Sequence, residues 1–212
     1  MDSVVANKVQ EPIELIEQLL AARFSCRAFL PKPVPRATIE RILVAAQKTA
    51  SWCNSQPWRL EITSGKATQK FREAMYGAAS SGRPNSGDFP FPREYRGVYL
   101  ERRRESGFQL YNSLGIPRGD KAGYAKQALE NFNFFGAPHV AIVHTDEALG
   151  VATIPQAALA FQSEVVRRHF GLGDDRRVVC GISFGYPDRE HKANSYRTSR
   201  AKLADAVTFF DE

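Results

Sequence analysis

Residues 51–58, with the sequence Ser-Trp-Cys-Asn-Ser-Gln-Pro-Trp, constrain what this chain can fold into more than any other stretch. They follow a predicted amphipathic helix that begins near Arg36, and they precede an alternating run, 58–63, that predicts a half-buried strand. Two indole rings and the amides of Asn54 and Gln56 can lay apolar surface and hydrogen-bonding groups against a flat aromatic ligand. Trp58 begins the strand, where a core position is the commoner role, and the role of Trp52 stays open.

A second candidate site lies upstream, where Arg23, Ser25 and Arg27 alternate along the chain. An extended segment would place all three side chains on one side, where two guanidinium groups and a hydroxyl suit a phosphate. The alternative is a helix C-terminus at which arginines complement the helix dipole. Arg197 and Arg200 form another cationic cluster, which either joins Arg23 around one phosphate or belongs to a solvated tail.

The remaining pattern predicts a single α+β domain over residues 1–212, with a small sheet for the helical mass around it. Short apolar runs at 140–143 and 178–184 predict two buried strands, and a Gly/Pro/Ser-rich stretch at 77–92 predicts a mobile surface loop. The other helices are predicted from Pro12 onward and at 67–76, 93–114, 120–135 and 162–170.

Composition narrows the class of protein. Apolar residues make up 43% and charged residues 25% of the 212 residues, which is typical of a globular protein. No apolar run reaches the ~18 residues that a membrane span needs, so no membrane partner is expected. The absence of a secretory leader pattern and the presence of three cysteines without metal-type spacing favour the cytoplasm.

The net charge of +6 raises the question of nucleic-acid binding, because arginines cluster at 93–104. Glutamates alternate with them at helical spacing, which favours a solvated helix face, and no nucleic-acid partner is expected. The four histidines show no metal or catalytic spacing, and the chain contains no Gly-x-Ser-x-Gly elbow, P-loop or Rossmann turn. We therefore expect no bound metal and no side-chain nucleophile.

The ordered set of motifs resembles the nitroreductase family. It comprises Arg-Phe-Ser-Cys-Arg at 23–27, the 51–58 segment, Phe-Gly-Ala-Pro at 135–138, Ile-Pro-Gln-Ala at 154–157 and Asn-Ser-Tyr-Arg-Thr-Ser-Arg at 194–200. The charged helix 93–114 and its continuation look closest to the bacterial branch that reduces nitrobenzoates and related nitroarenes. The resemblance implies a nitroreductase-like fold with a small central mixed or antiparallel sheet surrounded by helices. It also implies a homodimer with FMN at its interface and a C-terminal tail extending onto the partner subunit.

The resemblance also assigns roles to residues. Arg23, Ser25 and Arg200 would hold the FMN phosphate, and Arg27 would lie at the pyrimidine edge of the flavin, where it would support the reduced ring electrostatically. Phe24 stands where the family often has a polar residue. The other implied cofactor-binding residues are Ser51, Trp52, Cys53, Asn54, Gln56, Pro155, Gln156, Ala157 and Arg197.

The implied activity is hydride transfer from NADH or NADPH to nitroaromatic or quinone acceptors by a ping-pong mechanism. Two alternatives stay open. One is another reductive task on the same fold, such as ene reduction or dehalogenation, and the other is a non-catalytic basic binding protein with a degraded flavin site. The resemblance further implies that a long apolar helix, which the family carries between the strand at 140–143 and Ile154, is missing between Gly150 and Val151.

Overall fold

A three-stranded antiparallel sheet lies at the centre of the molecule. The computed structural model describes residues 11–49, 54, 56–89, 92–147 and 157–196. The strands are β1 (Trp58–Ser64), β2 (His139–Asp146) and β3 (Arg176–Phe184), in the order β1-β2-β3. The predicted α+β class with a small sheet is confirmed. All pairing within the described ranges is antiparallel, and the C-terminal tail lies outside them.

Seven α-helices surround this sheet within the described part of the chain. They are α1 (Pro12–Ala22), α2 (Arg36–Ala46), α3 (Lys66–Ser80), α4 (Gly97–Ser113), α5 (Lys121–Leu129), α6 (Ala157–Ala160) and α7 (Ser163–Phe170). Short 3-10 turns occupy Phe134–Gly136 and Lys192–Asn194. None of the helices in the described ranges combines the length and the apolar composition needed to cross a bilayer.

The hydrophobic core forms where α3, α6 and α7 pack against the sheet. Val140 and Ile142 of β2 are fully buried, as expected for the central strand of three, since its neighbours cover both of its edges. The aromatic ring of Phe71 on α3 lies 5.3 Å from the ring of Phe134. The other fully buried members of this core are Met75, Ala137, Leu159, Val166 and Val178.

The loop predicted at 77–92 begins and ends about four residues later than expected, and its described part is docked on the core. Residues 77–80 belong to α3, because Gly77 is tolerated in a helix of otherwise good helix formers. Ser86 donates its backbone N–H to Phe161 O at 2.7 Å. The buried Asp88 carboxylate accepts from Arg167 Nη1 at 2.7 Å and from the backbone N–H of Val178 at 2.6 Å. These contacts fix the described part of the loop against α7 and β3.

Two predicted helices have different ends in the structure. The helix expected over 93–114 begins only at Gly97, whose φ of 51° is left-handed. The helix expected over 120–135 ends at Leu129 and is followed by turns in which Phe134 and Phe135 adopt φ values of 57° and 51°. Arg72 stabilises this strained stretch by donating to Asn133 O at 3.1 Å and to Ala137 O at 2.8 Å.

The alternation predicted for β1 is wrong about which face is covered. Leu60, expected inside, is 37% exposed, whereas Thr63, expected outside, is 3% exposed. Thr63 is buried because its hydroxyl accepts from Thr68 Oγ1 at 2.9 Å, and Glu61 on the same face contacts His144. Thr63 and Glu61 therefore lie on the face of β1 where they have hydrogen-bond partners, and Leu60 lies on the other, more exposed face.

The N-terminal helix α1 presents its apolar residues to solvent. It begins with Pro12 in its first turn, as predicted, but none of its residues is buried within the chain. The exposed fraction reaches 62% for Leu19 and 63% for Leu20. Ile42 and Val44 of α2 are exposed to 56% and 62%. The predicted apolar face of α1 therefore exists, but nothing within the described chain covers it.

Candidate cofactor site

The segment that follows α1 is extended and exposes two polar side chains. The chain leaves helical geometry at Arg23, with φ −70° and ψ 132°. Arg23 and Ser25 are exposed and Phe24 between them is half-buried, as the predicted extended geometry requires. The alternation ends there, because Cys26 and Arg27 are both half-buried. Within the described residues neither the Arg23 guanidinium nor the Ser25 hydroxyl has a hydrogen-bond partner, so both are free to bind a ligand.

Asn194, a buried residue that the sequence analysis did not single out, fixes this segment in place. Its Oδ1 accepts the backbone N–H of Arg27 at 2.7 Å. Its Nδ2 donates to Ala28 O at 2.9 Å and to Asp188 O at 2.6 Å. The only sequence signal for this role is its position at the start of the 194–200 motif. One amide therefore clamps the Arg23–Arg27 segment to the C-terminal part of the described chain.

Arg27 lies beside Tyr196, which is the last residue of the final described range, 157–196. Its guanidinium carbon is 5.8 Å from the centre of the Tyr196 ring, and its Nη1 donates to Ser25 O at 3.4 Å. Burial raises the pKa of the Tyr196 hydroxyl, and the charge of Arg27 opposes that rise. The structure thus brings the first motif to the start of the C-terminal motif. Arg197 and Arg200 themselves lie outside the described residues.

Asn54 and Gln56 are exposed, and their amides bond to each other. Gln56 Nε2 donates to Asn54 Oδ1 at 3.2 Å. Their φ values of 54° and 45° are left-handed, a conformation that side-chain-bearing residues rarely adopt outside functional or tight-turn positions. Ser51, Trp52 and Cys53 lie outside the described residues. Of the 51–58 segment, the structure describes residue 54 and residues 56–58.

Ala157 begins helix α6, while Pro155 and Gln156 before it lie outside the described residues. Helix α6 packs directly on β3 at Gly181, because a Cβ built at Gly181 would lie only 2.1 Å from Leu159 Cδ1. Only glycine at this position allows α6 to approach the sheet so closely. The fit between Leu159 and Gly181 therefore determines where α6 lies on the sheet.

The predicted structural role of the histidines agrees with their surroundings. His139 accepts the backbone N–H of Val34 at its Nε2, 2.9 Å away, while its Nδ1 lies 2.9 Å from Ser64 Oγ. His144 lies between Glu61 and Arg176, at 3.3 Å from each. No cluster of metal-ligating side chains occurs among the described residues, in which Cys26 and Cys180 form no disulfide.

The described residues fit an anionic, phosphate-bearing cofactor. Arg23 and Ser25 offer free donors on one side of a segment whose backbone is fixed by Asn194, and Arg27 adds a cation on the same strand. Preorganised donors of this kind bind a phosphate without a large ordering cost.

Comparison with known proteins identifies the family and the fold of this chain. The model of the nitroreductase family matches residues 20–186. The chain belongs to this family. Nitroreductase NfnB from Mycolicibacterium smegmatis is 34% identical over 91% of this chain and 92% of its own. A 4-nitrobenzoate reductase from Pseudomonas putida is 30% identical over 92% of this chain and 94% of its own.

Solved structures of the nitroreductase family share the whole architecture. The FMN-dependent nitroreductase NfnB from Mycobacterium smegmatis, in complex with NADPH, superposes with a TM-score of 0.86 at 32% identity. That match covers 95% of this chain and 100% of the other. An FMN- and NADPH-dependent NfnB from a Sphingopyxis strain gives the same TM-score at 30% identity, over 92% of this chain and 99% of its own. The predicted nitroreductase-like fold is confirmed.

The alignments also show that this nitroreductase is internally shorter than its relatives. The alignment with the M. smegmatis sequence extends over 217 positions, more than the 212 residues of this chain, of which it uses only 91%. The relative therefore carries internal positions that have no counterpart here. A shorter chain is what the predicted missing helix requires. The predicted location of the gap, between Gly150 and Val151, lies outside the described residues.

Proposed function

We propose that this nitroreductase uses FMN to transfer hydride from NADH or NADPH to nitroaromatic or quinone acceptors in ping-pong order. The observation that carries the proposal is the pair of unpartnered donors, Arg23 and Ser25, on the segment that Asn194 fixes. Relatives at 30–34% identity over nine-tenths of the chain are named as nitroreductases or nitroarene reductases, which supports the same reaction here. Two solved relatives are named as using NADPH, which favours that reductant.

The chain contributes binding, orientation and charge to this reaction. The flavin, when bound, supplies the hydride chemistry. Arg23 and Ser25 would hold its phosphate, and Arg27 would provide a fixed positive charge close to the position where negative charge develops on reduction. Since Asn194 holds the backbone of Arg27, this charge needs no rearrangement during turnover. The assignments of Phe24, Asn54, Gln56 and Ala157 belong to the same proposal, as do those outside the described residues: Ser51, Trp52, Cys53, Pro155, Gln156, Arg197 and Arg200.

We also propose that the enzyme works as a homodimer. The support is the apolar face of α1, where Leu19 and Leu20 are more than 60% exposed, together with the exposed Ile42 and Val44 of α2. Apolar side chains clustered in this way mark a surface that another protein covers. A second copy fits, because the adjoining cofactor segment begins where α1 ends, so a partner seated on α1 would close the site. The C-terminal tail would extend onto that partner.

A single domain over residues 1–212 and a cytoplasmic setting complete the proposal. The sheet and the helices α3, α6 and α7 share one core, which supports a single domain. The lack of a disulfide between the described cysteines, Cys26 and Cys180, suits a reducing compartment.

The test is FMN binding followed by turnover. Purified protein is mixed with FMN, desalted and examined for bound flavin absorbance, and oxidation of NADPH by nitrobenzene is then followed. We expect retained flavin and acceptor-dependent oxidation. Arg23→Ala should weaken FMN binding about tenfold, the size of one charge-assisted contact.

Arg36→Ala is the matched control, because it removes an equally exposed arginine whose ion pair with Glu40 lies on α2. Equal FMN affinity in the two variants would remove Arg23 from the phosphate site. Protein that retains no flavin would instead favour the non-catalytic alternative. Flavin retained without nitroarene turnover would favour ene reduction or dehalogenation.

A further inference from the structure

A cavity lies at the end of the hairpin formed by α4 and α5, and none of the residues that line it is assigned to FMN. Its volume is about 300 Å³, which is at the small end of the range for ligand sites. The residues that line it are Phe108, Tyr111, Asn112, Ile116, Arg118 and Tyr124.

Aromatic rings form the walls of this hairpin pocket. The rings of Tyr111 and Tyr124 stack with their centres 4.2 Å apart and their planes at 27°. The guanidinium carbon of Arg118 lies 4.5 Å from the centre of the Phe108 ring. A flat apolar ligand can therefore contact ring faces while a cation stands beside it.

The polar groups at the pocket still have free hydrogen-bonding capacity. Within the described residues, the Arg118 guanidinium pairs with no carboxylate and donates no hydrogen bond, and the amide of Asn112 has no partner. The nearest acidic residue in the loop, Asp120, uses its Oδ1 to accept the backbone N–H of Gly123 at 2.9 Å. The pocket thus presents one unpaired cation and one neutral amide.

The loop that carries Arg118 is held by hydrogen bonds to the two stacked tyrosines. Ile116 N donates to Tyr111 O at 2.9 Å, and Gly119 N donates to the hydroxyl oxygen of Tyr124 at 2.8 Å. Gly119 has a φ of 91°, so the turn depends on glycine there. The pocket is therefore preformed, and a ligand would not have to order it.

We propose that the hairpin pocket binds a small aromatic carboxylic acid, with Arg118 pairing with the carboxylate and the ring lying against Phe108 and the stacked tyrosines. A single planar cation matches a monoanion in bidentate geometry, whereas a phosphate dianion needs more donors than the pocket provides. The aromatic walls and the small volume exclude large or purely polar ligands.

The pocket is linked to the cofactor site through α4. This helix packs against the 3-10 turn Lys192–Asn194, whose Asn194 holds the segment of Arg27. Binding of an aromatic acid in this pocket does not depend on the proposed function.

The test of binding is calorimetric titration of the purified protein with benzoate. Arg118→Gln keeps a planar group over Phe108 and removes the charge, so we expect benzoate affinity to fall about tenfold or more. Arg103→Gln is the matched control, because Arg103 stacks on Tyr95 at 5.4 Å elsewhere on the same hairpin and its loss changes the net charge equally. Cyclohexanecarboxylate should bind more weakly than benzoate. Unfolding midpoints of both variants show whether each is folded.

Two results would overturn the proposal: no benzoate binding to the folded wild-type protein, or equal losses in Arg118→Gln and Arg103→Gln. Benzoate binding without any nitrobenzene reduction would leave the pocket in place and refute the proposed function. Nitrobenzene reduction without benzoate binding would support the proposed function and refute the hairpin pocket as a binding site.

Discussion

At the scale of single residues, side-chain amides and imidazoles shape the site as much as the arginines do. Asn194 satisfies three backbone groups from two distant parts of the chain. His144 bridges Glu61 of β1 and Arg176 of β3 from the central strand. Both are buried polar residues, and their value depends on keeping every partner, because an unsatisfied buried group costs more than a satisfied one contributes.

Asn194→Ala should destabilise the protein and weaken FMN binding together. The substitution leaves the N–H of Arg27 and the carbonyls of Ala28 and Asp188 without their partner, at a cost of about 2–3 kcal/mol. Denaturant unfolding and FMN titration measure the two effects. Asn131→Ala is the control, because the Asn131 amide bonds only to the local Ala128 O. FMN affinity unchanged in a folded Asn194→Ala protein would refute the clamp.

The stability of the protein should fall in mild acid because of His144. Burial lowers the pKa of His144 most strongly, the neighbouring Arg176 and Arg59 lower it further, and Glu61 raises it. The unfolded chain binds a proton at this histidine near pH ~6.5, while the folded chain resists protonation until a lower pH. The contribution of neutral His144 to stability is therefore fully present above pH ~6.5 and is lost as the pH falls toward the pKa of the folded state.

The measurement is the unfolding midpoint from pH 7.5 to 5, compared between wild type and His144→Gln. His169, whose pKa burial also lowers, contributes a slope in the same direction to both proteins. We expect a smaller pH slope in the variant. Identical slopes would mean that His144 is not a source of the acid sensitivity.

At the scale of elements, the sequence predicted the order and type of the helices and strands except the short α6, but not where most of them end or which face they cover. The end of α7 at Gly171 was predictable, because a left-handed glycine after a periodic run is a local signal. The burial of Thr63 was not, because it depends on Thr68 and on the Val140 carbonyl, which are brought close only by tertiary packing. The Arg/Ser motif was visible from spacing alone, while its clamp, Asn194, lies 167 residues from Arg27.

Gly181→Ala should displace α6 and destabilise the fold. The added methyl group would lie 2.1 Å from Leu159 Cδ1, and overpacking of this kind typically costs about 1–3 kcal/mol. Gly77→Ala is the control, because a Cβ there meets nothing within 4 Å in the middle of α3. That substitution should stabilise the helix by up to about 1 kcal/mol. Thermal unfolding compares the two, and equal midpoints would show that α6 is not held by this contact.

At the scale of the whole molecule, the described chain has a buried core and an uncovered N-terminal helix. The helix α1 carries an apolar face of the kind that normally packs against other protein, yet none of its residues is buried in the single chain. This mismatch between composition and exposure is the main argument that the functional unit is larger than one chain.

Leu19→Glu should therefore convert a dimer into monomers and lower FMN retention. A charge placed in an apolar interface loses its solvation without gaining a partner. Light scattering coupled to gel filtration measures the mass, and desalting measures bound flavin. Ala125→Glu adds the same charge to an exposed position of α5 and should change neither. A wild-type monomer at all concentrations would rule out the second copy as the partner of α1.

The docked loop that contains Ser86 and Asp88 also links its own opening to the opening of α7. Helix α7 has no side-chain cap of its own, and the Ser86 hydroxyl of the loop accepts the N–H of Glu164 in its first turn at 3.3 Å. Lifting the loop would remove this hydrogen bond from the start of α7 and separate Asp88 from Arg167 in the same event. We therefore expect the loop and α7 to open as one cooperative unit, so that their amide hydrogens exchange with solvent at a common rate.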